Sequence, residues 1–222
     1  MDNKFKMLVI HIYIIFIVKI KGMSVNMKID YVIFTDASVR KDKVTGKCFT
    51  GYAYVILNVN KNTYITYSNY LTNDSIVFAE AWAIYSGLRY VSKHIKNSNI
   101  LVVSDSKLNI DILTNYIPNK WNMTDKIWRK SDGKPVKNQK IYQLILKLIS
   151  NTTNKLKFVH INSHKFQDDS AEIILKFKKY KVSMNKDTVN VFINMNSIAD
   201  KLATTITGKL KHQKPFVLKY LK

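Results

Sequence analysis

Hydrophobic and polar positions change period several times along the chain. Ile29–Thr35 is apolar in one block over Val32–Phe34, as a strand buried on both faces reads. Phe49–Leu57 and Asn62–Tyr70 are rich in β-branched and aromatic residues and are separated by Asn58-Val-Asn-Lys, which predicts two further antiparallel strands. From Ile76 to His94 the spacing lengthens. Val77, Glu80, Ala81, Ile84, Leu88 and Val91 recur three or four apart, as on one face of a helix. Ile100–Ser104 predicts a short buried strand that leads into a helix from about Lys107 to Tyr116. Asn138–Ser150 carries Ile141, Leu144, Ile145 and Leu148 on one side of a helix; Lys155–Ile161 is a strand, and Asn196 to about Thr207 a last helix. The order βββαβα…αβα predicts an α/β domain, a mixed sheet with helices on its faces.

No repeat or low-complexity linker divides the chain after residue 28. Ahead of it, Met7–Val18 is an apolar run between Lys6 and Lys19. It falls short of the roughly 20 residues that a helix needs to cross a bilayer. The run and its positive flank suit a signal peptide, but Lys19-Ile-Lys-Gly-Met-Ser offers no small-x-small cleavage site. Membrane association through residues 7–18 and secretion stay open. The favoured reading starts translation at Met23 or Met27, which makes residues 1–27 a leader or extension and the protein intracellular, in the cytoplasm.

The chain is 46% hydrophobic and 23% charged, enough to bury a core, and its single cysteine, Cys48, excludes a disulfide framework or a cysteine-cage zinc site. Thirty-six basic residues against 15 acidic ones give a net charge of +21, which favours polyanions and above all nucleic acid. All of the basic residues except Arg40, Arg89 and Arg129 are lysines, and Asn and Ile are abundant. That mixture is what an A/T-rich coding sequence yields, so part of the charge is compositional. Between Trp121 and Lys140, Lys126, Arg129, Lys130, Lys134, Lys137 and Lys140 surround Trp121 and Trp128. Basic residues interleaved with aromatics suit a nucleic-acid groove; the alternative is a solvated face with two half-buried tryptophans.

The acids are scarce and therefore informative. Glu80 and Glu172 are the only glutamates, and Glu80 falls on the apolar face of its helix. Asp36 follows the first strand, Asp105 ends Leu101-Val-Val-Ser, and Asp200 lies between Ala199 and Leu202 in the last helix. Each alone reads as a cap or strand end. Four buried like charges drawn to one sheet cannot all ionise without a cation. Oxygen-only ligands in an open cage select magnesium, or manganese.

Thr35-Asp36-Ala-Ser38, Ala79-Glu80-Ala81, Ser104-Asp105-Ser106, Ser163-His164-Lys165 and Asn196-Ser-Ile-Ala-Asp200 occur in the order of the type 1 ribonuclease H family. Trp128-Arg-Lys-Ser-Asp-Gly-Lys-Pro-Val-Lys-Asn138 resembles that family's basic segment entering its fourth helix. The resemblance covers residues 28–207 and implies a ribonuclease H-like fold, a five-stranded mixed sheet flanked by helices with its carboxylates at the strand ends. It also implies a magnesium-dependent endoribonuclease acting on the RNA strand of an RNA/DNA hybrid. Asp36, Glu80, Asp105 and Asp200 would hold two Mg2+ ions about 3.5–4 Å apart, with Mn2+ as a substitute. Asp36 would bridge them. His164 would stand where the family has a flexible-loop histidine that moves protons or helps product leave. Ser38, Asn138 and Asn196 are candidates for reading the 2′-hydroxyl, although Ser38 also suits a turn and both asparagines precede helices and suit caps. Lys137 and Trp128 would join the basic segment's contact with the hybrid. No small-molecule cofactor is expected, and the chain is expected to act as a monomer.

The sequence departs from the family pattern in three places. Ser75-Ile-Val-Phe stands where a polar stretch usually precedes the glutamate, and Ala37 stands where glycine follows the first aspartate. Between His164 and Asp200 the family has a short loop, whereas this chain inserts residues 166–195, expected to form a helix or hairpin over the site; residues 208–222 form a basic tail. A DNA-cutting nuclease of the same fold, such as a Holliday-junction resolvase, and a non-catalytic hybrid-binding module are the alternatives.

Overall fold

The computed structural model describes residues 28–41, 46, 48–72, 75–124, 127–161, 174–175, 177–178 and 186–209. The apolar run 7–18 and His164 lie outside the described residues, as do the leader 1–27, much of the insertion and the tail beyond residue 209. Among the described residues no helix is long and apolar enough to cross a membrane.

Five strands form one sheet, in the spatial order Thr63–Leu71, Cys48–Asn58, Tyr31–Lys41, Asn99–Ser104 and Lys155–His160. β1 (Tyr31–Lys41), β2 (Cys48–Asn58) and β3 (Thr63–Leu71) make an antiparallel meander. β4 (Asn99–Ser104) pairs parallel with β1, and β7 (Lys155–His160) pairs parallel with β4. A small hairpin, β5 (Asn122–Thr124) and β6 (Ile127–Arg129), stands apart from the sheet. A mixed sheet flanked by helices is the architecture expected from the chain's order of elements, and five strands are the number the resemblance implies.

Side-chain alternation sends each strand's apolar residues to two cores. On one face Ile33, Tyr54, Ile56 and Val102 pack under α1 (Ile76–His94) and α3 (Gln139–Asn151). On the other, Val32, Phe34, Val55 and Val103 pack under α4 (Lys186–Lys209). Ser75 starts α1 by accepting the Phe78 backbone N–H at 3.3 Å, and Lys93 and His94 suit its carboxyl end.

Several elements differ from their expected bounds. β1 runs on through Asp36 to Lys41 because its antiparallel pairing with β2 persists to Lys41↔Cys48, whereas its parallel pairing with β4 stops at Thr35↔Ser104. The apolar block marks only the part flanked on both sides. The helix expected over 107–116 is α2 (Lys107–Asp111), continued by a π-helical turn (Ile112–Tyr116) and a last turn (Ile117–Asn119). The last helix begins at Lys186 rather than Asn196, so residues 186–195, assigned above to the insertion, belong to α4. Val189, Phe192 and Met195 are buried on the sheet there, which extends the helix towards its amino end. Phe177, also from the insertion, is fully buried 5.7 Å from the Phe192 ring and packs into the same core.

Candidate metal centre

The ends of β4 and the middle of β1 are brought together by their parallel register. Thr35 pairs with Ser104, so Asp36 and Asp105 lie side by side one residue further on. By alternation both lean to the face that α4 covers, the face of Phe34 and Val103. β4 ends here while β1 continues. Glu80 comes to the same place from the second turn of α1, on the opposite face. One carboxylate oxygen from each of Asp36, Glu80 and Asp105 lies within 4.8 Å of the other two.

Asp36 is 5% exposed and Glu80 6%. Burial, followed by the charges of Asp105 and Asp200, pushes the Asp36 carboxyl up to about 8, although the Ala37 backbone N–H donates to its Oδ1 at 2.7 Å. Burial first, and then Asp36 and Asp105, hold Glu80 well above the usual carboxylate range. Glu80 Oε2 is buried with no hydrogen-bond partner. A buried carboxylate oxygen left without a donor, facing two more acids, fits a hard divalent cation. The trio could therefore hold a metal ion.

Asp200 comes from α4. It is exposed and outside the tight trio, but its carboxyl is near enough to raise Asp36 both by charge and by a side-chain hydrogen bond. Thr204 Oγ1 donates to Asp200 Oδ1 at 3.4 Å. The fourth acid thus stands at the rim of the cluster. The close crossing of α4 over β2 sets its position, because a Cβ on Gly51 would meet the Ala203 carbonyl oxygen at 2.2 Å.

The candidate substrate-contacting residues are more scattered. Ser38 is half-buried on β1 opposite Gly51, on the same side of the strand as Asp36, and is no turn residue. Asn196 is not a helix cap. It lies within α4, one turn before Asp200, 5% exposed, with Oδ1 buried and unpartnered. Asn138 does precede α3, in a left-handed conformation (φ 58°) that asparagine tolerates, but its side chain makes no capping bond. Trp128 is 4% exposed and packs in the core with its ring 6.0 Å from Trp121, so its indole offers no open stacking face. Interleaved aromatics and lysines look alike in sequence whether the ring points in or out. The neighbouring Gln139 fixes the hairpin by accepting the Trp128 backbone N–H at 2.9 Å. Lys137 is exposed and, with Ser75, Lys120, Trp121, Lys130 and Asn138, lines a cleft of 540 Å³ beside the start of α1. None of the four carboxylates lines that cleft.

A family model described as RNase H matches residues 28–173. A protein named Ribonuclease H from Tropheryma whipplei (strain Twist) is 36% identical over 77 residues, which are 35% of this chain and 46% of that one. The chain thus spans about half the length of this curated relative. The structure of prototype foamy virus protease–reverse transcriptase superposes with a TM-score of 0.59 at 20% identity, over 83% of this chain and 22% of that one. The solution structure of the foamy virus RNase H domain gives a TM-score of 0.57 at 20% identity, over 81% of this chain and 94% of that domain. At such identity the likeness is one of fold.

Proposed function

The chain belongs to the RNase H family, and from that premise we propose that it is a magnesium-dependent endoribonuclease that hydrolyses the RNA strand of RNA/DNA hybrids. The observation that carries this reading is the trio Asp36, Glu80 and Asp105, gathered within 4.8 Å with Glu80 Oε2 buried and unpartnered. A pure hybrid-binding module has no use for clustered negative charge beside phosphates, which argues against that alternative.

Asp36, Glu80, Asp105 and Asp200 would hold two Mg2+ ions, with Mn2+ as a substitute. Bound there, the ions would supply an activated water and charge stabilisation for hydrolysis of an RNA phosphodiester to a 3′-hydroxyl and a 5′-phosphate. The protein's own contribution is positioning. Asp36, in the middle of a strand and with its Oδ1 accepting the Ala37 N–H, would be a pre-positioned ligand. Glu80 draws its ligand oxygen from the opposite face of the sheet. Asp200 would add its carboxylate from the exposed rim. His164 serves as a proton carrier or in product release. Ser38, Asn138 and Asn196 are candidates for the 2′-hydroxyl and minor-groove edge, and Lys137 with Lys130 for phosphates of the DNA strand. Trp128 supports that segment from within the core.

The test is a Mg2+ titration of cleavage on an RNA/DNA hybrid, double-stranded DNA and branched DNA, with Asp36→Asn alongside. The expected result is cutting of the RNA strand of the hybrid alone, dependent on Mg2+ or Mn2+ and lost in Asp36→Asn. Preference for either DNA substrate, or turnover retained in the variant, would overturn the reading.

A further inference from the structure

One buried polar network lies behind the carboxylates and bears no charge. Asn109, on α2, is fully buried, and each hydrogen-bonding atom of its amide is used. Its Nδ2 donates to Ser106 Oγ at 2.8 Å and to the Val77 carbonyl at 3.1 Å, and its Oδ1 accepts the Tyr142 hydroxyl at 2.6 Å. These three partners come from three elements. Ser106 directly follows Asp105. Val77 is in the first turn of α1, three residues before Glu80. Tyr142 stands on α3, 1% exposed.

We propose that Asn109, locked by Tyr142, is a positioning residue that ties the Asp105 turn to the first turn of α1 and so sets the spacing of the Asp105 and Glu80 carboxylates. The proposal rests on the reading of that cluster as a metal centre. Two bonds shape the Asp105 turn itself: Ser104 Oγ accepts the Ser106 N–H at 3.2 Å, and the Asp105 carbonyl accepts the Lys107 N–H at 3.0 Å. Both are local to the turn. Neither bond reaches α1, whereas the Asn109 amide does. The chemistry also argues for a role other than packing. Asn109 is fully buried beside Tyr142, where an aliphatic side chain would bury at less desolvation cost than an amide. A satisfied, low-dielectric network instead gives directional rigidity, which is what a ligand set needs from its supporting residues. Burial keeps the Tyr142 phenol protonated far into alkali, so its donor is available at every pH of interest.

The design that separates positioning from packing is the double variant Asn109→Leu/Tyr142→Phe, which replaces both partners by apolar groups of similar size. Removing the Tyr142–Asn109 bond together with both of its partners costs little stability, whereas the Ser106 hydroxyl and the Val77 carbonyl each lose a donor. The full chain should fold with a thermal midpoint lowered by several degrees. Its Mg2+ affinity, followed by calorimetric titration with the metal alone and by the Mg2+-induced rise in midpoint, should fall about tenfold. The kcat for a hybrid should fall with it while KM stays close to that of the parent. Tyr142→Phe alone, which leaves the amide in place, should give a smaller loss, and it decides the matter should the double variant fail to fold. Ile149→Val, a truncation on the same helix remote from the network, should leave Mg2+ affinity unchanged. A folded double variant with the parent's Mg2+ affinity would overturn the proposal, and so would an equal loss in the Ile149 control. Failure of the parent itself to bind Mg2+ would instead refute the metal centre.

Discussion

At the scale of single residues, the carboxyl cluster is a local source of instability that a bound cation would relieve. Asp36 is pushed from an ordinary 3.8 up to about 8, by burial above all. A carboxyl whose folded pKa lies above its unfolded one binds more protons in the native state, so it lowers stability as pH rises from about 4 to about 8. The metal-free protein should therefore melt at lower temperature at pH 9 than at pH 5, as far as this group is concerned, and Glu80 acts in the same direction. Asp36→Asn should stabilise the metal-free chain at pH 9 by an amount on the order of a few kcal/mol, and added Mg2+ should stabilise the parent but barely the variant. Thermal melts with chelator and with Mg2+ at the two pH values check both statements. Asp36, Glu80 and Asp105 were legible as candidates because acids are scarce here and these three fall in apolar surroundings. Trp128 was not legible, since the direction of a ring is decided by the hairpin it lies on.

Among the elements, the crossing of α4 over the sheet decides whether Asp200 can join the cluster. Gly51 makes that crossing possible: a methyl group there would meet a helix backbone carbonyl, which has no rotamer to yield. Gly51→Ala is expected to destabilise the fold by about 1–3 kcal/mol, measured by chemical denaturation. By lifting α4 it should also weaken the influence of Asp200 on Asp36, so that cleavage needs more Mg2+. The parallel register of β1 with β4 is the other decisive contact, because a slip of one residue would turn Asp36 and Asp105 to opposite faces. Strand and helix types were readable from periodicity, and α1 matched its predicted bounds. The longer β1 and the earlier start of α4 were not, because both extensions depend on neighbours contributed by distant parts of the chain.

For the molecule as a whole, the excess of positive charge predicts a steep salt dependence of hybrid binding. With Asp36→Asn, which should bind without cutting, affinity is expected to fall about a thousandfold between roughly 50 and 200 mM salt, as for a protein that neutralises about six phosphates. A filter-binding series over that range measures it. A shallow slope would mean that most of the lysines reflect coding composition rather than contact. The substitution Lys137→Ala should lower affinity at low salt by a small factor and leave the specificity for hybrid over DNA unchanged, because phosphate contacts carry no sequence or sugar information directly.

The sequence alone determined the order of the elements and the two-faced sheet, because burial imposes a period on strands and helices that survives without coordinates. It also singled out the acids, since a charged residue inside an apolar run must have a reason to be there. Tertiary structure decided which of those acids meet. Asp36, Glu80 and Asp105 converge because a parallel register aligns two strands and α1 brings Glu80 to the end of the shorter one, while Asp200, on the helix that covers the Asp36 face, stays exposed at the rim. It alone revealed the amide of Asn109 behind them, which in sequence is one polar letter in a short helix. Distances between side chains far apart along a chain are fixed by packing, and no local pattern encodes them.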